Sequence, residues 1–150
     1  MSVRLATSID ALTIARLLHD FNTEFDSPTP GIDVLEQRLE PLVDSPSMFV
    51  VLTDEPAEGL AVVSLRPNVW FDGPVALLDE LYVAPSGRNQ GVGTALLNAA
   101  RKEAKVRGAE HMEINVDEPD RDAQRFYERH GFTRIEPTTG QTAFYYWATI

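Results

Sequence analysis

The sequence predicts an α/β domain in which helices flank a mixed central sheet. Length, apolar content and the alternation of strand-like and helix-like segments support this prediction. With 150 residues, of which 43% are hydrophobic, the chain is long enough to bury a core as one globular domain. Short apolar runs alternate with segments whose apolar residues recur every three or four positions, a mixture typical of sheets covered by helices. We therefore expect a single domain over residues 1–150.

The predicted element order is β-α-α-β-β-β-α-β-α-β-β. A capping box formed by Thr7 and Asp10 opens the first helix, whose apolar residues recur on one face. Pro119 suits the first turn of the last helix, and Gly131 suits its end. In chain order, the predicted elements cover residues 3–6, 8–21, 33–43, 48–53, 60–66, 77–83, 92–107, 110–116, 119–130, 132–135 and 143–148.

A glycine-rich turn joins the strand over 77–83 to the helix over 92–107, and it reads Arg88-Asn89-Gln90-Gly91-Val92-Gly93. Glycines let the backbone approach a ligand closely, and the first N–H groups of a helix have no partner within that helix. The helix dipole favours an anion at this end, and Arg88 adds a formal positive charge. The turn is therefore predicted to bind phosphate.

Two well-known phosphate-binding patterns do not fit this turn. A Walker loop ends in Gly-Lys-Ser/Thr, a tripeptide that does not occur in this chain. A dinucleotide-binding loop needs a third glycine where Leu96 stands, although Glu113 lies roughly 20 residues on, where that motif has its acidic residue. The remaining pattern is Arg-x-x-Gly-x-Gly after a strand that ends in Leu-Tyr-Val.

This pattern resembles the pyrophosphate loop of the GNAT-type N-acetyltransferases, which bind acetyl-coenzyme A (acetyl-CoA). A second signature of that family, Phe-Tyr-x-x-x-Gly-Phe, matches residues 126–132, and the predicted element order also matches the family. The resemblance is strong from Leu77 to Phe132 and weaker towards the N-terminus. It implies an enzyme that transfers acetyl from acetyl-CoA directly to an amine. The absence of cysteine agrees with direct transfer, since no thiol can form an acyl-enzyme.

The resemblance implies coenzyme-binding residues in three segments of the chain. In the family, the central strand and the strand after the pyrophosphate helix splay apart, and the pantetheine arm binds backbone groups of the central strand in the gap. Asp120 stands where the family commonly has Asn, and a carboxylate cannot donate a hydrogen bond, so a helix-end role is the alternative for it. The expected residues are Leu81, Tyr82, Val83, Arg88, Asn89, Gln90, Gly91, Val92, Gly93, Thr94, Asp120 and Phe126.

Acetylation of an amine needs a base for the ammonium proton and an acid for the leaving thiolate. By resemblance, Tyr127 is the acid, and the alternative is a core aromatic residue. Family members that resemble polyamine acetyltransferases have an acidic residue at the position of Asp79, so Asp79 ranks first as base and Glu80 second, with water as the alternative. Because adjacent strand residues point to opposite faces, Asp79 would lie on the same face of the strand as Leu81 and Val83. A bulge in the strand would change this alternation.

Negative charge is concentrated in the first half of the chain. Residues 1–80 hold 4 Lys/Arg and 14 Asp/Glu, whereas residues 81–150 hold 9 of each. This distribution indicates either a solvated acidic surface or a field that attracts a cationic amine. It disfavours nucleic acid, because phosphate binding needs a basic stripe. Without a signal-like or membrane-spanning run, we expect a cytoplasmic protein with no membrane partner.

Several alternatives remain open at the level of the sequence. The acceptor is a polyamine, an aminoglycoside-like molecule, an amino acid or a protein amine, and a longer acyl group is a further alternative to acetyl. The competing function is a non-catalytic acyl-CoA sensor or interaction domain of the same fold; Tyr127 together with an intact loop favours the enzyme. The three histidines form no metal-ligand pattern, so no metal is expected. The aromatic strand over 143–148 would suit pairing across the two-fold axis of a homodimer.

Overall fold

The chain forms two structural units, Met1–Ile114 and Asn115–Ile150. The computed structural model describes every residue of both units. The first unit contains β1 (Ser2–Leu5), α1 (Ala11–Glu24), α2 (Ile32–Val43), β2 (Met48–Asp54), β3 (Gly59–Arg66), β4 (Val75–Val83), α3 (Val92–Val106) and β5 (Met112–Ile114). The second unit contains α4 (Arg121–Arg129).

The sheet of the first unit has the strand order β1-β2-β3-β4-β5. The first four strands pair antiparallel with their neighbours, and β5 pairs parallel to β4. A parallel pair needs a long crossover, which α3 provides. The predicted α/β class with a mixed sheet is therefore confirmed, and the elements up to α4 follow the predicted order.

Helices cover both faces of this sheet. On one face, α1 and α2 bury an apolar cluster that includes Ile14, Leu17, Leu39, Val50, Leu52, Leu60, Val62 and Tyr82. Side chains alternate along a strand, so the neighbours of Leu60 on β3 point to the other face. There, a Cβ atom on Gly59 would lie 2.9 Å from Leu96 Cδ1 of α3. The absence of a side chain at Gly59 thus lets α3 pack closely on β3.

The start of the helical layer follows the predicted capping pattern. The Thr7 backbone N–H donates to Asp10 Oδ2 over 2.9 Å, as in a capping box, at a 3₁₀ turn that leads into α1. Arg4 donates to both Asp10 oxygens and thereby lowers the pKa of that carboxyl. The helix itself extends to Glu24, three residues beyond its predicted end at Phe21. Glu24 is important for the site described below.

The second unit differs from the prediction at its C-terminal end. The strands expected over 132–135 and 143–148 do not form, and only an isolated antiparallel bridge joins Ile135 to Thr142. Aromatic residues favour strands, but a strand also needs a hydrogen-bonded partner, and no ladder runs along this segment. Its aromatic side chains are exposed, from 67% for Tyr145 to 87% for Tyr146. No helix of either unit combines the length and apolar character needed to cross a bilayer.

Candidate active site

A β-bulge in β4 decides where the two candidate carboxylates lie. The register of β4 against β3 shifts at Val62, which leaves Asp79 as an extra residue with no partner in β3. Glu80 pairs with Val62 and shares its face of the sheet. The Asp79 side chain accepts a hydrogen bond from Ser64 Oγ, and Ser64 lies two residues from Val62 on that same face. The bulge therefore brings both carboxylates to one side of the sheet.

This arrangement corrects the face expected for Asp79. By register, Leu81 and Val83 pair with Ala61 and Gly59, on the face that α3 covers. Asp79 does not share that face, because the extra residue in the bulge breaks the alternation of side chains. The bulge that the family resemblance allowed is thus present in β4.

The pKa values of both carboxyls are raised. Asp79 is exposed, but partial desolvation by the surrounding atoms is still the main cause of its raised pKa, and the hydrogen bond from Ser64 partly opposes it. Burial is the main cause for Glu80, and the neighbouring charge of Asp79 raises the pKa of Glu80 further. A carboxylate with a raised pKa binds a proton more strongly and is a better base. The pair is therefore suited to take a proton from an ammonium group.

The edge of β4 that faces β5 is open along its second half. β5 pairs with β4 only from Ala76 to Leu78, so residues 79–83 have no strand partner on that side. An open strand edge presents N–H and C=O groups to an extended ligand with amides of its own. This unpaired edge includes Leu81, Tyr82 and Val83, for which the family resemblance predicts contacts with the pantetheine arm.

The turn between β4 and α3 ends in a conformation suited to bind an anion. Gly91 is the N-cap of α3 with φ of 78°, and Asn89 also lies in the left-handed region with φ of 60°. The first helical hydrogen bond runs from Ala95 N to Gly91 O, so the amides of Val92 and Gly93 occupy positions without an acceptor inside the helix. Apart from Gly91 and its two chain neighbours, no residue has a heavy atom within 4 Å of a Cβ built on Gly91. Backbone donors and open space therefore meet here, as phosphate binding requires.

The first part of the same turn is held by Glu58, the residue before β3, and by a hydrogen bond within the turn. Ala84 N donates to Glu58 O over 2.7 Å, and Ser86 Oγ donates to Glu58 Oε2 over 3.2 Å. Gln90 Nε2 donates to Ser86 O over 2.9 Å. Gln90, an expected coenzyme contact, thus uses its side-chain amide to close the turn, which leaves its backbone for a ligand.

Arg88 is held by residues that precede the turn. Its Nη2 donates to both carboxylate oxygens of Glu24, over 2.8 and 2.5 Å, and its Nε donates to Val83 O over 3.0 Å. The guanidinium also lies 5.9 Å from the centre of the Tyr82 ring. The positive charge expected at the phosphate site is therefore balanced by a carboxylate of α1.

The second unit contains the remaining candidates, Asp120, Phe126 and Tyr127. Asp120 is the N-cap of α4, and its Oδ1 accepts a hydrogen bond from Ala123 N over 3.0 Å, in agreement with the helix-end alternative. The Tyr127 ring makes edge contacts with Phe126 and Phe132, with ring centres 5.2 and 5.6 Å apart. These rings are half-buried, so packing within α4 and the turn after it orients Tyr127.

Three residues that the sequence did not single out support this site. Ser64 binds Asp79, Glu24 binds Arg88, and Glu58 braces the turn. Each pair is at least 15 residues apart in the chain, so no local motif connects its members. For Ser64, the pairing of β3 with β4 was a usable signal, because the two strands were predicted. For Glu24 and Glu58, no signal in the sequence indicates the contact.

Comparison with known proteins gives a consistent result. The model of the acetyltransferase (GNAT) family matches residues 12–132. The crystal structure of a candidate acetyltransferase from Arthrobacter sp. FB24 has 51% sequence identity and a TM-score of 0.93, and the match covers 100% of this chain and 96% of that one. The uncharacterized N-acetyltransferase YhfO of Bacillus subtilis is 26% identical over 134 residues, which cover 88% of this chain and 89% of YhfO.

A more distant structural match carries the coenzyme. The aminoglycoside N-acetyltransferase AAC(6′)-Iy in complex with CoA has 19% identity and a TM-score of 0.78, and the match covers 99% of this chain and 95% of that one. At this identity the match concerns the fold alone.

Proposed function

This chain belongs to the acetyltransferase (GNAT) family, and we propose that it transfers acetyl from acetyl-CoA directly to a primary amine of a cationic acceptor. The observation that carries the proposal is the continuity of β4. One strand holds the bulged carboxylate pair, continues as an open edge over 79–83 and leads into the anion site at Gly91. Since the family model spans residues 12–132, we propose that residues 1–150 act as one acetyltransferase domain.

The proposed reaction is a direct displacement at the thioester. A carboxylate of the Asp79–Glu80 pair removes the ammonium proton, either directly or through a water molecule, and leaves a neutral amine. The amine nitrogen attacks the thioester carbonyl carbon, so that an N–C bond forms and the C–S bond breaks. The nitrogen gives its second proton to solvent as the amide forms. The released thiolate takes a proton from the Tyr127 hydroxyl, and solvent then reprotonates Tyr127. The products are an N-acetylated acceptor and CoA.

The proposed coenzyme site divides between backbone and side-chain groups. The amides from Arg88 to Thr94 receive the pyrophosphate, and the edge formed by Leu81, Tyr82 and Val83 receives the pantetheine arm. Because Glu24 balances the charge of Arg88, the backbone amides and the helix dipole supply most of the attraction for phosphate. Phe126 and Asp120 complete the proposed set on the strength of the family resemblance.

A cationic acceptor is supported by two features of the first unit. The carboxylates Asp79 and Glu80 lie on one face of the sheet, and the first 80 residues contain 14 acidic and only 4 basic side chains. Such a distribution raises the local concentration of cations. The exposed aromatic residues 144–147 support a homodimer, which sedimentation of the full chain would reveal.

The test is a thiol-release assay with acetyl-CoA and a panel of primary amines. The panel contains polyamines, aminoglycosides, basic amino acids and lysine-containing peptides, with anionic and neutral amines as comparators. We expect CoA release that depends on a cationic amine, together with one new acetyl group in the mass of the acceptor. Binding of acetyl-CoA without thiol release for any amine would instead support a sensor of the same fold.

A further inference from the structure

Glu24, the last residue of α1, joins that helix to the beginning of the coenzyme turn. Its carboxylate accepts hydrogen bonds from Arg88 Nη2 over 2.8 and 2.5 Å and from Tyr82 Oη over 3.1 Å. The Tyr82 ring stacks on Phe21 of α1, with ring centres 4.8 Å apart and planes 10° apart. Arg88 Nε closes the cluster with a hydrogen bond to Val83 O over 3.0 Å. Every donor and acceptor in this cluster comes from α1, β4 or the turn.

The placement of this cluster matters because the turn needs a positive φ at two positions. Asn89 follows Arg88 directly and adopts φ of 60°, a left-handed conformation that Asn adopts more readily than other non-glycine residues. Gly91, two residues later, presents the helix amides. An anchored Arg88 therefore limits the freedom of the backbone just before the donors that would bind pyrophosphate. Preorganised donors bind more tightly, because less conformational freedom is lost when the ligand arrives.

We propose that Glu24 is a positioning residue for the coenzyme: through Arg88 it holds the turn in the conformation that binds the pyrophosphate of acetyl-CoA. This inference rests on the proposed function, since it concerns the same coenzyme site. Glu24 itself touches neither the coenzyme nor the acceptor in this role. Its contribution is to fix Arg88 against β4 and to keep α1 next to the turn.

A different role for Arg88 makes the opposite prediction, which sharpens the test. If Arg88 bound the phosphates through its side chain, Glu24 would compete with them for the guanidinium. Removal of the charge on Glu24 would then release Arg88 and tighten coenzyme binding. In the positioning role, the same change loosens the turn and weakens binding. The sign of the effect therefore separates the two roles.

The experiment measures CoA binding by calorimetry and steady-state kinetics with acetyl-CoA for Glu24→Gln, Arg88→Gln and the double variant. Glu103→Gln is the matched control, because it breaks the ion pair with Arg107, which has similar exposure and lies at the far end of α3.

We expect the Kd for CoA and the KM for acetyl-CoA to rise about three- to tenfold in Glu24→Gln and in Arg88→Gln, the range for a charged hydrogen bond that is partly exposed. The double variant should lose no more than the larger single effect. In Glu24→Gln, we expect kcat at saturating acetyl-CoA to stay within about twofold, whereas general loosening of the active site would lower kcat.

The possible outcomes separate this inference from the proposed function. If Glu24→Gln binds CoA as tightly as the unsubstituted protein, or more tightly, the positioning role is wrong. The same holds if Glu103→Gln weakens binding equally, or if the effects of the two single variants simply add. If the unsubstituted protein does not bind CoA, the proposed function is wrong and the positioning role falls with it.

Discussion

At the scale of single residues, the chemistry depends on how Asp79 and Glu80 share one face of the sheet. Two neighbouring carboxylates cannot ionise independently, and burial together with the charge of Asp79 raises the pKa of Glu80. Ser64 donates a hydrogen bond to Asp79 and thereby favours the ionised form of the Asp79 carboxyl. The two groups thus have different environments, which is how one of a pair of carboxylates becomes the base.

The variant Asp79→Asn should identify the base through the pH dependence of kcat/KM. If Asp79 is the base, kcat/KM falls by about 10²–10⁴-fold and its rising limb moves to higher pH, because solvent must accept the proton. If Glu80 is the base, the rising limb moves to lower pH, because loss of the Asp79 charge lowers the pKa of Glu80. Ser64→Ala is the companion variant: it removes the hydrogen bond that opposes the rise in the pKa of Asp79. An unchanged profile in Asp79→Asn would contradict both assignments.

Glu80→Gln should stabilise the protein at neutral pH, and it should lower the activity if Glu80 is the base. The folded-state pKa of Glu80 lies above the unfolded value, so stability is fully present below the unfolded pKa and declines as pH rises through the folded pKa. A neutral Gln avoids this loss. Thermal unfolding should therefore show a higher Tm for Glu80→Gln at pH 7, and the difference should vanish under acid conditions where Glu80 is protonated in both states. A lower Tm at pH 7 would contradict the raised pKa.

Tyr127→Phe should lower kcat far more than it weakens coenzyme binding. The hydroxyl is the proposed acid, and general acid catalysis is worth about 10²–10⁴-fold. The ring and its contacts with Phe126 and Phe132 are retained in the variant. Tyr145→Phe, which removes a hydroxyl from an exposed tyrosine, serves as the control. A kcat within about twofold of the unsubstituted value would leave Tyr127 as a packing residue.

At the scale of elements, the junction of β4 with α3 combines an open strand edge and a helix N-terminus. Gly91 allows the turn, because its φ of 78° is costly for any residue with a side chain. It also leaves open the space in front of the helix amides. Conformation and access therefore depend on the same glycine, and a substitution affects both.

Gly91→Val should lose CoA binding in addition to stability, and Gly31→Val separates the two effects. Gly31 is the N-cap of α2, has φ of 100° and, apart from its own atoms and its two chain neighbours, also has no heavy atom within 4 Å of a built Cβ. Both variants should lose about 1–2 kcal/mol or more of unfolding free energy, because Gly91 is in the left-handed helical region and Gly31 (φ 100°, ψ 159°) is in an extended positive-φ region that residues with a side chain also avoid. Only Gly91→Val should also lose CoA affinity, measured by calorimetry at a temperature where both variants are folded. Equal affinities would place the pyrophosphate elsewhere.

At the scale of the whole molecule, the uneven charge distribution predicts a dependence on salt. A cationic acceptor drawn to the acidic half of the chain should show a KM that rises with ionic strength, because the Debye length falls from about 10 Å at 0.1 M to about 3 Å at 1 M. A neutral acceptor of similar size should show little change. A KM for the cationic acceptor that does not respond to salt would indicate that the acidic half is only a solvated surface.

The sequence alone determined the features that arise from neighbouring residues. The Thr7–Asp10 capping box, the turn with Gly91 and the α3 helix depend on contacts within a few positions, so periodicity and residue type predicted them. The strands up to β5 also follow from local patterns, although β4 begins two residues earlier than predicted and β5 is shorter than predicted. The family resemblance added the site residues, because its two motifs are local as well.

The tertiary structure decided whatever depends on pairing between distant segments. The bulge at Asp79 exists only in the register of β4 against β3, and the Glu24–Arg88 ion pair joins residues 64 positions apart. The strand expected over 143–148 did not form, because aromatic content favours a strand but cannot supply its hydrogen-bonded neighbour. Local patterns describe what each segment can become, whereas register and long-range ion pairs are selected only when the segments meet and pack.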